Sequence, residues 1–284
     1  MLKFPGSAIA AITTILVLGA CQTTPEDIHV TFERGKVRIG GNILDRLAID
    51  PEKARTTADK SANDDWLKVH NLALLDLVTR AAKPDDRFPV IIYAHGCGGM
   101  VPNSHAHVAM LEGLGDYVVV APDSFARKRP IHCWSPGVIN LSATQTVRNL
   151  RRVEMIHAVD RIARLPWVDK KNIFLIGHSQ GGGVVMGYAG DIRIKGRVSL
   201  NGGCYTRFPG TGSTGNGLRR DEQVLVFDSG HDPWFKKWYT ECPEMARYHS
   251  NGRLVHDPED GGHNLIVQPK YLAIFKAWMK EHTN

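Results

Sequence analysis

Asn172-Ile173-Phe174-Leu175-Ile176-Gly177-His178-Ser179-Gln180-Gly181-Gly182-Gly183-Val184-Val185-Met186 is the stretch on which the fold turns. Asn172 leads into an unbroken apolar run to Ile176, the pattern of a strand buried on both faces of a parallel sheet. Gly177 to Gly181 reads G-x-S-x-G, and the residues after it suit the start of a helix. Strand, tight turn and helix are the setting in which this pattern carries a nucleophilic serine. The reason is crowding: a serine held in a strained turn needs neighbours without side chains. The turn lifts the Ser179 hydroxyl above the C-terminal edge of the sheet. The helix behind it aims N–H groups at an oxygen that gains negative charge.

A serine hydroxyl is a poor nucleophile and needs a base and an orienting acid. A sheet of this kind delivers them in the order serine, acid, histidine. The strand-like Val224-Leu225-Val226-Phe227 is followed by Asp228-Ser229-Gly230-His231-Asp232. Asp232 stands far enough past the strand to turn back under a histidine, and it is preferred over Asp228, which lies at the strand end and could cap the loop. His263 follows Gly261-Gly262 on a late loop and is the expected base, with His256 and His249 as alternatives that lie within or before a strand. The loop His95-Gly96-Cys97-Gly98-Gly99 lets backbone approach a substrate oxygen closely. The N–H of Cys97 and that of Gln180 are the expected oxyanion donors.

Outward from these motifs, strand and helix signals alternate. Pro89–Ala94, Tyr117–Ala121, Gly196–Leu200 and Leu254-Val255 read as further strands. Helical patterns fall near Ala106–Leu114, over 145–165, and at Leu272, Phe275, Trp278 and Met279. Such alternation implies βαβ units, hence an α/β fold with a mostly parallel sheet and helices on both faces. Residues 36–87 are hard to read: Trp66 to Val78 is apolar at mixed spacing, a helix or a strand before a turn at Pro84-Asp85-Asp86. Residues 22–35 read as a polar tether. The Gly/Ser/Thr stretch 210–217 lacks a P-loop ending and reads as a surface loop. His105 and His107 have no third ligand at helical spacing and read as a helix start at the surface. Trp134, Trp234 and Trp238 fall near the C-terminal rim, where they could line an acyl or aromatic pocket or serve packing. No metal or cofactor signature is present.

The chain has 284 residues, 43% hydrophobic and 23% charged, with a net charge of +6. These are values of one soluble globular domain with a sizeable core. They exclude a disordered chain or a multi-span membrane protein. Arg127-Lys128-Arg129 and the doublets Arg151-Arg152, Arg219-Arg220 and Lys236-Lys237 read as solvated helix faces or loop ends. No nucleic-acid partner is expected from them.

At the N-terminus, Lys3 precedes an apolar run from Ala8 to Ala20, which suits the core of a signal peptide. Leu18-Gly19-Ala20-Cys21 resembles the bacterial lipoprotein lipobox. That resemblance implies cleavage before Cys21 and lipid on its thiol, with residues 1–20 as signal and 21–35 as tether. The expected location is the cell envelope, facing the periplasm, with the outer membrane favoured by Gln22. Cys97, Cys133, Cys204 and Cys242 then remain, an even number in an oxidising compartment. Two disulfides are expected, and spacing alone does not choose among three pairings.

Taken together, Tyr93–Gly99, Ala121–Arg127, Leu165–Asp169 running into Gly177–Gly182, the Gly230-His231-Asp232 turn and Gly262-His263 resemble the dienelactone hydrolase-like branch of the α/β-hydrolases over residues 85–282. The resemblance implies one α/β-hydrolase domain over 36–284, a sheet of about eight strands, and hydrolysis of a carboxylic ester without a cofactor. Dienelactone hydrolases proper use a cysteine nucleophile, whereas Ser179 stands here, so a general serine esterase acting on a small-molecule ester is the expectation. Acyl transfer on the same triad, or a non-catalytic envelope-binding lipoprotein, are the alternatives. In such a sheet the strand ends near Ala94 and Ala121 are neighbours, as are those near Leu200 and Phe227. The fold therefore implies the pairings Cys97–Cys133 and Cys204–Cys242.

Overall fold

Seven strands form one sheet in a computed structural model that describes residues 25–52, 54, 70–127, 141–203, 219, 221–234, 251–260 and 262–283. In chain order they are β1 (Lys36–Ile39), β2 (Phe88–Ala94), β3 (Val118–Ala121), β4 (Val168–His178), β5 (Gly196–Leu200), β6 (Gln223–Ser229) and β7 (Gly252–Asp257). Their spatial order is β1-β3-β2-β4-β5-β6-β7. Only β1 runs antiparallel, pairing Lys36 with Ala121 and Ile39 with Val118. The alternating pattern read from residue 88 onward is thus a parallel sheet, with seven strands among the described residues where about eight were expected.

The central strands are apolar on both sides because both sides are covered. Val90, Ile92 and Ala94 point into one core layer with Val118, Ile173 and Leu175, while Ile91 and Tyr93 join Val119, Phe174 and Ile176 in the other. Among the described residues seven helices supply the cover: α1 (Pro25–Glu33), α2 (Gly41–Arg46), α3 (His70–Ala81), α4 (Pro102–Glu112), α5 (Leu141–Ala163), α6 (Gln180–Met186) and α7 (Pro269–His282). Prolines open α4 and α7, where the missing N–H costs no helical bond. Val108 and Leu111 of α4 and Tyr271, Phe275 and Trp278 of α7 fill one layer; Met155, Val159 and Ile162 of α5 fill the other. No helix among the described residues is long and apolar enough to cross a membrane.

The N-terminal part differs from the expectation. The tether expected over 21–35 gives way to a helix from Pro25, which buries Phe32 against the core and packs on α5. The Thr31 carbonyl accepts the Asp123 N–H at 2.8 Å, tying that helix to the turn after β3. Within the unreadable 36–87 segment, Val37, Ile39, Leu74, Leu75 and Val78 are all core residues. Residues 1–24, including Cys21, lie outside the described residues, as do the Gly/Ser/Thr stretch 210–217, His249, Cys133, Cys204, Cys242, Trp134 and Trp238.

Candidate active site

Ser179 links the end of β4 to the start of α6 with φ +54° and ψ −122°. An L-residue rarely accepts this conformation, and strain of this kind clusters at functional sites, which makes Ser179 a candidate. The strain persists because its surroundings over-determine it. The Ser179 N–H donates to the Leu200 carbonyl at 2.9 Å, and the Ser179 carbonyl accepts from Gly182 at 2.9 Å. A Cβ on Gly177 would lie 2.2 Å from the Gly181 oxygen, and one on Gly181 would lie 2.1 Å from the Ala94 oxygen. Both glycines are therefore required by close approach, as the motif implied.

The predicted acid and base meet. His263 Nδ1–H donates to Asp232 Oδ2 at 2.7 Å, and both side chains are largely buried. The other carboxylate oxygen accepts the Trp234 N–H at 2.9 Å. Trp234 also lays its ring beside that of His263, with centroids 5.8 Å apart. The rival residues form a separate pair: His256 Nδ1 donates to Asp228 Oδ2 at 3.0 Å, from β7 to β6. The structure thus pairs each aspartate with a different histidine, Asp228 with His256 and Asp232 with His263.

Two further residues hold this geometry. Asn201, at φ +50° just past β5, contacts Asp232 Oδ2 and the Gly262 carbonyl through Nδ2, both at 3.4 Å. Its Oδ1 accepts the Leu265 N–H at 3.0 Å. Asn201 therefore joins the acid loop to the base loop. Its signal in the sequence is Asn201-Gly202-Gly203 after a strand, a left-handed turn signature. The second is His178, whose Nε2–H donates to the His263 carbonyl at 2.8 Å. Burial pushes the His178 pKa down to about 3, so it stands neutral beside the candidate base.

His107 corrects an expectation. It is buried, accepts from the Tyr93 hydroxyl at 2.7 Å and donates to Asn264 Oδ1 at 2.8 Å. It packs against His178 rather than facing solvent, because α4 turns this position toward the sheet. No group of three potential metal ligands occurs among the described residues.

The loop expected to supply the second oxyanion donor lies against the serine turn. A Cβ on Gly96 would stand 3.5 Å from the Ser179 Cβ. Cys97 in this loop is disulfide-bonded, and every other cysteine of the chain lies outside the described residues. Beneath the loop sits a polar cluster whose two arginines were expected on solvated faces. Arg127, Arg151 and Glu154 are each less than a tenth exposed. Arg127 reaches Glu154 at 3.3 Å, so its charge is paired inside rather than hydrated. The readable signal was Glu154 three residues after Arg151, a spacing that places both on one side of a helix.

No family model matches the chain, and no curated protein matches it in sequence. Solved structures match its fold. A dienelactone hydrolase-like promiscuous phosphotriesterase from metagenomic libraries is 17% identical with a TM-score of 0.52, covering 70% of this chain and 89% of its own. Esterase PE8 is 16% identical with a TM-score of 0.55, over 71% and 96%. A dienelactone hydrolase of Klebsiella pneumoniae, so described provisionally, is 17% identical with a TM-score of 0.52, over 69% and 88%. The chain has the α/β fold of these proteins.

Proposed function

We propose that the chain is a serine hydrolase that cleaves a carboxylic ester or related acyl bond through an acyl-enzyme. One observation carries the reading: the strained turn holding Ser179 comes with a 2.7 Å bond between His263 and Asp232, brought together from two other loops. The esterases and the phosphotriesterase that share the fold support hydrolysis as the reaction class.

Ser179 Oγ attacks the acyl carbon while His263 Nε2 takes the hydroxyl proton. Asp232, accepting from Nδ1, fixes the tautomer that leaves Nε2 as the base and stabilises the imidazolium that forms. The N–H groups of Cys97 and Gln180 receive the oxygen's negative charge. Collapse of the tetrahedral species expels the alcohol, which takes the proton from His263. Water then attacks the acyl-enzyme with His263 again as base, releasing acid and free serine. Neither a metal nor a cofactor enters this scheme.

The same proposal puts the chain in a bacterial envelope, facing the periplasm and held by lipid on Cys21, with disulfides Cys97–Cys133 and Cys204–Cys242. It supposes no nucleic-acid partner. A panel of p-nitrophenyl esters of graded acyl length tests the activity. The proposal expects turnover of at least the short esters and its loss in Ser179→Ala. Undiminished turnover by that variant would overturn it.

A further inference from the structure

Arg151 lies on α5, under the oxyanion loop, with 4% of its surface exposed. Its guanidinium is shared among three segments. Nη1–H donates to Gln180 Oε1 at 2.8 Å, and Nη2–H donates to the His95 carbonyl at 2.5 Å. Nε–H donates to Ser124 Oγ at 3.1 Å, and that hydroxyl donates on to Glu154 Oε2 at 2.6 Å. Gln180 follows the serine, and His95 lies two residues before Cys97. One rigid fork therefore touches both halves of the oxyanion site.

We propose that Arg151 is a positioning residue that fixes the separation of the two oxyanion donors, the backbone N–H groups of Cys97 and Gln180. This rests on the serine-hydrolase reading given above. Burying a guanidinium is costly unless each donor is used. Glu154 has Arg127 as a direct partner. Arg151, by contrast, hydrogen-bonds to Glu154 through Ser124, and its own bonds go to three neutral oxygens, those of Ser124, Gln180 and His95. The His95 segment is pinned from its other side as well. His95 Nδ1–H donates to the Gly96 carbonyl at 2.6 Å, and His95 Nε2 accepts the Ser124 N–H at 3.0 Å. This tautomer requires a neutral ring, and burial together with Arg151 and Arg127 keeps the His95 pKa well below its ordinary value. The fork thus closes a frame running from Gln180 through Arg151 to His95, and Cys97 hangs from the His95 end.

A donor that shifts costs transition-state binding, because the oxyanion exists only there. Substrate binding in the ground state is nearly untouched. Two variants separate this role from simple support. Arg151→Lys keeps a buried positive charge, but an ammonium lacks the planar fork that spans both acceptors. Gln180→Met deletes the Oε1 acceptor and leaves the backbone N–H in place.

The experiment is steady-state hydrolysis of p-nitrophenyl acetate by wild type and both variants, with inhibition by a trifluoromethyl ketone and with thermal melting. Each variant is expected to lose roughly tenfold to a hundredfold in kcat, with KM within about twofold, a fraction of what full removal of a donor costs. The ketone forms an oxyanion when serine adds to it, so its affinity should fall by the same factor as kcat/KM. Inhibition by an uncharged alcohol product should hold. The double variant should lose no more than Arg151→Lys alone, since both remove one link. Folded variants with wild-type kcat, or losses confined to KM, would overturn the proposal. If Arg151→Lys does not fold, Gln180→Met decides alone. A wild type that neither hydrolyses the ester nor labels at Ser179 with a fluorophosphonate would overturn the serine-hydrolase reading itself, and with it this inference.

Discussion

Asp228 and Asp232 stand four positions apart, and each answers to a different histidine. Asp228 belongs to the last strand pairing, whereas Asp232 has left the strand and turned beneath His263. Asp232→Asn is therefore expected to lower kcat by roughly 10⁴, because the amide favours the wrong imidazole tautomer. Asp228→Asn should cost less than about tenfold, since His256 lies outside the proposed chemistry. Ester hydrolysis by the two variants checks the ranking, and the reverse order would move the acid to Asp228. At this scale the strained Ser179 turn and the His263–Asp232 pair were legible, because strand ends and paired glycines point to them. Arg127 and Arg151 were not, because a basic doublet looks the same in sequence whether it is hydrated or paired inside. Only the three-dimensional meeting of α5 with the His95–Gly99 loop distinguishes the two cases. His107 was hidden similarly, by a helix phase that spacing alone did not set.

Among the elements, β4 and α6 are the most exacting, since the chain reverses direction across them with almost no room. The Gly181 Cα approaches the ends of β2 so closely that an added methyl would meet the oxygens of Ala94 and His95 at 2.1 and 2.5 Å. Gly181→Ala is expected to destabilise the fold by about 1–3 kcal/mol through overpacking. It should also depress activity by moving Gln180. Urea unfolding measures the first effect, and an unchanged midpoint would contradict the close approach. The central strands were legible because burial on both faces writes an apolar run into the chain. The first helix was not. Pro25–Glu33 carries Glu26, Asp27, His29 and Glu33 around a few buried positions, so its composition resembles a tether while its Phe32 fills the core. The strand β1 is four residues long and alternates Lys, Val, Arg and Ile, a pattern too brief to separate from a loop.

At the scale of the whole molecule, buried neutral histidines make one distinct contribution to the response to acid. Burial lowers the pKa values of His95, His107 and His178, the last to about 3. The unfolded chain takes up these protons near the ordinary imidazole value of about 6.5. Through these histidines the unfolded state binds more protons than the folded state below that pH, so they take stability away as pH drops from about 6.5 toward 3; the carboxyls of Asp123, Glu154 and Glu222, whose pKa values burial raises, act in the opposite direction. His178→Gln keeps a donor for the His263 carbonyl and should reduce that slope by up to about one proton. The difference in urea midpoint between wild type and this variant, followed between about pH 7.5 and 5, tests this, and a difference that does not change with pH would refute it. The envelope assignment has its own test. Cys21→Ser should release the protein from the membrane fraction, and persistent pelleting without palmitate labelling in either form would show that the lipobox was misread. The most direct test of the central claim is labelling of the intact protein with a fluorophosphonate, followed by peptide mapping. The account expects one adduct per chain, on Ser179, absent from Ser179→Ala and slowed in Asp232→Asn. No adduct, or an adduct on another residue with hydrolysis intact in Ser179→Ala, would contradict it.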